Sequence, residues 1–301
     1  MVPYNQDNDH IIELEGIKIA SFLKKTETNL DERTVNSFGE EWNKFSGFDE
    51  KDLKVTGDQY FDIVGDSVLN KEVEALDVGC GSGRWSRYLS SRVKSIEAID
   101  PSNAILSAAK FNADIENIRW TQASADNIPF DDDSFDFVFS LGVLHHIPDT
   151  QQALNDAVKK LKGGGYFLLY LYYALENRSG FYRGLFWISN LFRRFIAMLP
   201  GGLKRLVCDI IALIIYLPLV SISRFVKFIF KGELYKKIPL SYYSDKSFYI
   251  MRNDSLDRFG TPLEKRFTKT EIKNMMEQSG LGEIVFSDHE PYWHALGKKL
   301  V

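Results

Sequence analysis

Between Val73 and Tyr172 the chain alternates short apolar runs with amphipathic stretches, and that alternation calls for a parallel sheet with helices on both faces. Val73–Val78 is an apolar run that stops at glycines, Arg84–Ser91 has helical spacing, and Ser95–Asp100 is a second run. Asn103–Phe111 follows with Ala104, Ile105, Ala108 and Ala109 on one face. Strands over Ile118–Gln122 and Phe135–Ser140 come next, then a helix over Gln151–Leu161. A strand over Tyr166–Tyr172 follows the turn Gly163-Gly164-Gly165. Near the far end, Thr270–Gln278 reads as a helix opened by a capping box, Thr268 or Thr270 with Glu271, and closed by Gly280. Two strands, Glu283–Ser287 and Tyr292–Leu296, lie close enough to pair antiparallel. Ahead of the alternation, Tyr60, Phe61, Val64, Val68 and Leu69 share one 3.6-period face and predict a helix over 55–70.

The richest segment is Glu74-Ala-Leu-Asp-Val-Gly-Cys-Gly-Ser-Gly-Arg-Trp85. A strand delivers Asp77 to its carboxyl end, and Gly79, Gly81 and Gly83 let the backbone turn and a ligand come close. In open α/β sheets, ligands sit at that edge, where strand order reverses. The spacing is DxGxGxG rather than the GxGxxG of a dinucleotide site, which disfavours a nicotinamide-dependent oxidoreductase. A leading carboxylate repels phosphate and suits an amine, and Asp100, closing the next strand, is placed to accept from two ribose hydroxyls. An adenosine with a cationic amino-acid tail satisfies both acids.

These pieces resemble the core of the class I S-adenosylmethionine-dependent methyltransferases, especially the broad group that includes quinone-ring methyltransferases. The matching segments are ALDVGCGSG, SIEAIDPS, ASADNIPF, DDSFDFVFSLGVLHHIPD and LKGGGYFLL, in the family's order. The resemblance covers about half the chain and implies S-adenosylmethionine as cofactor. It implies an α/β, Rossmann-like sheet of seven strands, mostly parallel with the last antiparallel, and here a helical insertion after strand five. It also implies that Asp77 and the three glycines face the methionine part, Asp100 the ribose, and Ser124 and Ala125 the adenine edge. Ser140 and Leu141 would line the methionine end. Many relatives carry an acid where Ser124 stands, and the neighbouring Asp126 is a substitute acceptor. The organisation expected is a helical cap over 1–70, the cofactor-binding core over 71–173, the insertion over 174–267, and a closing helix and strand pair over 268–301.

Methyl transfer from a sulfonium needs mainly alignment, and a base only where the acceptor must lose a proton. The candidates are His145 and His146, which follow strand four, and Tyr292 and His294, which alternation puts on one face of the last strand. Each also reads as ordinary packing. Glu41 and Trp42, in GEEWNKF, are candidates to cap the pocket. No HxxxH or CxxC pair is present, so no metal is expected.

The net charge is −4, yet from Arg178 to Lys237 there are 11 Lys/Arg against two acids, a local +9. Within this block, Phe181–Leu199 sets Arg183, Asn190, Arg193 and Arg194 along one side. Leu206–Ile222 is almost wholly apolar, but its uncharged run of 14 residues, with Pro218 inside, is shorter than the ~20 that span a bilayer. Arg224, Lys227 and Lys231 then form a basic stripe. A lid over the acceptor site, an anionic membrane surface contacted through 181–231, and a dimer interface all remain open, as does the oligomeric state. The block is too apolar for a nucleic-acid groove, and no (N/D)PP(Y/F) tetrapeptide is present, so nucleic acid is disfavoured as a partner. The polar N-terminus lacks a signal-peptide pattern, which favours a cytoplasmic location, peripheral at the inner membrane face if the block binds lipid. The expected function is methyl transfer to a small-molecule or lipid-like acceptor; the alternative is a protein that binds S-adenosylmethionine without transferring the methyl group.

Overall fold

Residues 1–24, 29–42, 50–230 and 232–301 are described by the computed structural model, with the side chains of 40–42, 181, 182, 185 and 253 excepted. Strands β1 (His10–Leu14) and β2 (Ile17–Ser21) pair antiparallel across Glu15 and Gly16, both at positive φ (51° and 83°), the backbone that a two-residue hairpin needs. Helices α1 (Glu32–Trp42) and α2 (Glu50–Tyr60) follow. The alternation then runs β3 (Glu74–Val78), α3 (Arg84–Ser90), β4 (Ser95–Asp100), α4 (Ala104–Phe111) and β5 (Ile118–Gln122). It continues with β6 (Phe135–Leu141), α5 (Thr150–Lys159) and β7 (Leu161–Tyr170). Helices α6 (Gly180–Ala197), α7 (Gly201–Ile211), α8 (Leu217–Ile229) and α9 (Phe248–Gly260) precede α10 (Lys269–Gln278), β8 (Leu281–Phe286) and β9 (His294–Lys299). The chain forms two compact units, Met1–Glu176 with Leu263–Val301, and Asn177–Pro262.

The first unit is built on one sheet in the order β1-β2-β5-β4-β3-β6-β7-β9-β8. From β3 the chain first steps outward through β4 and β5, then returns to add β6 and β7 on the other side, so strand order reverses between β3 and β6. β9 runs antiparallel to both β7 and β8. The expected α/β sheet is therefore present, with its antiparallel last strand. It has nine strands rather than seven, because the β1–β2 hairpin extends the β5 edge, β2 pairing parallel to β5.

Both faces of the sheet are covered. Leu76, Val78 and Val138 pack against Leu154 and Val158 of α5 and Ile272 and Met276 of α10. On the opposite face Ala75, Phe137 and Phe139 pack with Trp85 and Leu89 of α3 and Ile105 of α4. α10 opens with the capping box Thr268–Glu271: each side chain bonds the other residue's backbone N–H.

Two readings of residues 1–70 need revision. The stretch expected as a helical cap contains the strand pair first, and the helix expected over 55–70 is α2, ending at Tyr60. Phe61, Val64 and Leu69 are buried as their spacing implies, but through turns around Gly65 rather than a helix. Gly57 lies within α2 because a Cβ there would stand 2.3 Å from the Tyr88 ring.

In the second unit α7 and α8 are joined without a break by a π turn, Ala212–Tyr216, giving one helix from Gly201 to Ile229. Pro218 has no N–H to offer the carbonyl a turn earlier, and the widened turn just ahead absorbs the mismatch. At 29 residues this helix is long and apolar enough to cross a membrane by length and composition, which the uncharged run alone did not suggest. The unit's core is Ile196, Cys208, Tyr216, Val220, Met251 and Phe259. Polar ties hold it: Tyr216 donates to Asp254 (2.7 Å), Arg252 makes a forked pair with Asp209, and the buried Arg193 donates to the Thr261 carbonyl.

Candidate active site

The carboxyl ends of β3, β4 and β6 meet at the reversal of strand order. Ser140, buried at the end of β6, donates its hydroxyl to the carbonyl of Val78 at the end of β3 (2.8 Å), tying the two strands where they part; Leu141 is buried beside it. The glycine turn is anchored to β4 twice. The amides of Gly79 and Cys80 donate to the Ile99 carbonyl, and the Gly81 amide donates to Asp100 Oδ2 at 2.9 Å. Gly79, Gly81 and Gly83 all have positive φ (81°, 53° and 77°). Two of them have a packing reason as well: a Cβ on Gly79 would stand 2.3 Å from Val143, and one on Gly83 would stand 2.4 Å from Trp120.

Asp77 and Asp100 are both buried. Asp77 accepts from the Ser86 hydroxyl (2.7 Å), and burial, with Asp100 nearby, pushes its carboxyl up to about 7 despite that bond and Arg84. Burial raises Asp100 too, opposed by the hydroxyl and amide of Ser102 and the amide of Gly81. Neither acid makes an ion pair among the described residues. Two desolvated carboxylates at one turn have no ion-pair partner among the described residues, and a ligand ammonium fits that deficit. Three donors occupy most of the roughly four lone-pair positions of Asp100.

Beyond β5, Ser124 and Ala125 are buried in a loop, and the Ser124 hydroxyl donates to Asp126 Oδ1 (2.5 Å). Asp126 also accepts from the Asn29 amide, so the acid beside Ser124 is held in place from two sides.

The four base candidates separate sharply. His294 begins β9, fully buried, with Nε2 2.6 Å from Asp62 Oδ1 and Nδ1 2.7 Å from the Pro291 carbonyl. Both ring nitrogens are therefore already engaged, one at a carbonyl and one at a carboxylate. Asp62 is held below the usual carboxylate range: burial opposes this, and donors from His294, Ser287 and His289 outweigh it. Tyr292 does not share a strand face with His294. β9 starts at His294, and Tyr292 lies in the turn after Pro291, which cannot donate to a ladder; its ring packs on Tyr173 and Trp293. His146 bonds the Leu263 carbonyl through Nδ1 (2.7 Å) and meets Phe38 edge-on. His145 is fully buried between the rings of His146 and Tyr172 (4.0 and 3.9 Å), and neither of its nitrogens has a partner among the described residues. Burial, then His146 and Arg266, hold its pKa well below the ordinary value, so it is neutral at pH 7 with an unused lone pair. The side chains of Glu41 and Trp42 lie outside the described residues.

An aromatic edge escaped the sequence reading. Tyr60 packs on Trp85 (4.6 Å) and stands edge-on to Tyr170 (5.2 Å); Tyr170 leads to Tyr172, over which Arg266 lies (5.1 Å). These rings come from α2, α3, β7 and the stretch after it, at the sheet edge that holds the glycine turn.

Residues 76–169 match the methyltransferase-domain family. The chain is similar to an uncharacterized methyltransferase, YcgJ, of Bacillus subtilis, 33% identical over 109 residues that cover 35% of this chain and 43% of that protein. It is also similar to a demethylmenaquinone methyltransferase of Staphylococcus aureus, 36% identical over 107 residues, covering 34% of this chain and 44% of that one. The chain thus spans less than half the length of these curated relatives. Among solved structures, the Bacillus YcgJ protein superposes with a TM-score of 0.46 at 15% identity, over 80% of this chain and 98% of the other. Residues 76–169, about a third of the chain, thus match a methyltransferase domain.

Proposed function

We propose that the protein transfers a methyl group from S-adenosylmethionine to a small, apolar acceptor that carries a ring or is lipid-like. The observation that carries this reading is the pair of buried carboxylates, Asp77 and Asp100, on adjacent strands around the glycine turn, neither with an ion-pair partner among the described residues. In it, Asp77 holds the donor's ammonium. Asp100 accepts from one ribose hydroxyl in its free position, and a second competes with the Ser102 hydroxyl. Asp126, fixed by Ser124 and Asn29, accepts from the adenine amino group. Ser140 and Leu141 close the methionine end. When bound, the donor supplies an electrophilic methyl group already activated by its sulfonium.

The aromatic edge suits a flat acceptor, and aligning it opposite the leaving sulfur is what the rings of Tyr60, Tyr170 and Tyr172 contribute. Where the acceptor is a hydroxyl, His145 is the candidate to take its proton, because its ring nitrogens have no partner among the described residues. Tyr292 and His146 position the surrounding segments. The reading places the protein on the cytoplasmic side.

The test is incubation of purified protein and a cell extract with methyl-labelled donor, followed by mass identification of the labelled product. A labelled small apolar molecule is the expected outcome. Donor binding with no labelled product from any extract would instead support a protein that binds the cofactor without transfer.

A further inference from the structure

Large apolar side chains line the outside of the second unit. On α6, Trp187, Ile188, Leu191, Phe192 and Phe195 are exposed, as is Met198 just past its end, whereas Arg193 and Ile196 are buried. Positions 187, 191, 195 and 198 fall on one side of a helix, so this is a face and not a scatter. The long helix behaves the same way along its whole length. Its buried stripe is Cys208, Ala212, Tyr216, Val220 and Ser223; exposed are Leu206, Ile210, Leu213, Phe225 and Phe228, the last at 84%. Only 28% of its most apolar stretch is buried. A narrow stripe points inward here, and the many large apolar side chains around it point outward. At 1.5 Å per residue the stripe is roughly 40 Å long, more than a soluble monomer tolerates.

Charge decides what covers it. Asn177–Pro262 carries 14 Lys/Arg against five acids, a net +9, and Arg183 and Arg194 are exposed at the border of the α6 face. Two copies brought face to face would repel, while an anionic bilayer attracts. The basic stripe expected at 224–231 is not part of the attraction. Arg224 donates to the Ser244 and Lys246 carbonyls, Lys227 pairs with Asp245, and Lys231 lies outside the described residues. An in-plane placement fits the inner stripe better than a span, because that stripe is tied to its own unit through Ser255 to the Cys208 carbonyl and Tyr216 to Asp254.

We propose that Asn177–Pro262 is an in-plane membrane-binding unit, laying the outer faces of α6 and of the Gly201–Ile229 helix into the headgroup boundary of an anionic phospholipid bilayer. The inference stands apart from methyl transfer, whose residues all lie in the first unit.

Flotation of the full chain with vesicles tests it. The protein floats with phosphatidylcholine mixed with phosphatidylglycerol, floats poorly with phosphatidylcholine alone, and is released by salt. Phe225→Ser and Phe228→Ser each lower the bound-to-free ratio on the order of tenfold, with an unchanged unfolding midpoint because both rings are exposed in the free protein. The proposal is overturned if the wild type stays off both kinds of vesicle, or if the serine variants float as it does. A dimer that Phe228→Ser dissociates would overturn it equally, by making a second copy the occupant. Titration of the same samples with S-adenosylhomocysteine reads the first unit separately, so either reading can fail without the other.

Discussion

The two units follow opposite conventions. In the first, Leu76, Phe137 and Phe139 are fully buried and the net charge is −13; in the second, Phe225 and Phe228 face outward and the net charge is +9. The difference shows that amphipathic spacing fixes which residues share a face but not which face is buried. In the sheet, covering helices supply apolar partners on both sides. The long helix buries a narrow stripe against α9 and its neighbours, leaving the broad apolar one for a different solvent.

The contrast breaks most visibly on stability. Leu76→Ala should cost about 2–5 kcal/mol, because Leu76 is fully buried between β3 and the α5–α10 layer. Phe228→Ser should change stability by no more than about 0.5 kcal/mol. Urea unfolding compares them directly, and equal losses would mean that the outer face is a core.

Asp77→Asn sharpens the account of the first unit. Removing a charged partner for the donor's ammonium should weaken donor affinity roughly 10- to 100-fold, the worth of about 1.5–3 kcal/mol, while vesicle binding stays as it was. The variant also has a pH signature. The folded Asp77 carboxyl is raised to about 7 from 3.8, so the folded state holds a proton that the unfolded state has released. Its contribution to ligand-free stability is full below pH 3.8 and is lost as pH rises through about 7. Donor affinity moves the other way. It rises as Asp77 ionises, then falls once an α-amino group deprotonates near about 7.7–8.0. Asp77→Asn should flatten the rising limb of both affinity and destabilisation, measured by calorimetry and thermal unfolding across pH 5–9.

The smallest expected effect is local. Thr268→Ala removes one half of the capping box of α10 and should cost about 1 kcal/mol, without changing either donor or vesicle binding.

The sheet from β3 to β7 was legible because its apolar runs end in glycines and alternate with helical faces, and the turn with Asp77 and Asp100 followed from it. The β1–β2 hairpin was not, since its turn is Glu15-Gly16 rather than Asn-Gly or Asp-Gly. Helical periodicity over 55–70 marked the buried residues correctly but not the backbone, because turns around Gly65 bury the same side chains. The base candidates were unreadable for a different reason. What disarms His294 is Asp62, 232 positions away, and what isolates His145 is the packing of Tyr172. Likewise, Arg224 and Lys227 look like a headgroup-binding stripe until the segment at Ser244–Lys246 is folded against them.

The most direct measurement is calorimetric titration of the full chain with S-adenosylhomocysteine at pH 7.5, for the wild type and Asp77→Asn. The account predicts a single saturable site that the substitution weakens by at least an order of magnitude. A flat trace for the wild type, or equal affinity in the two proteins, would contradict it.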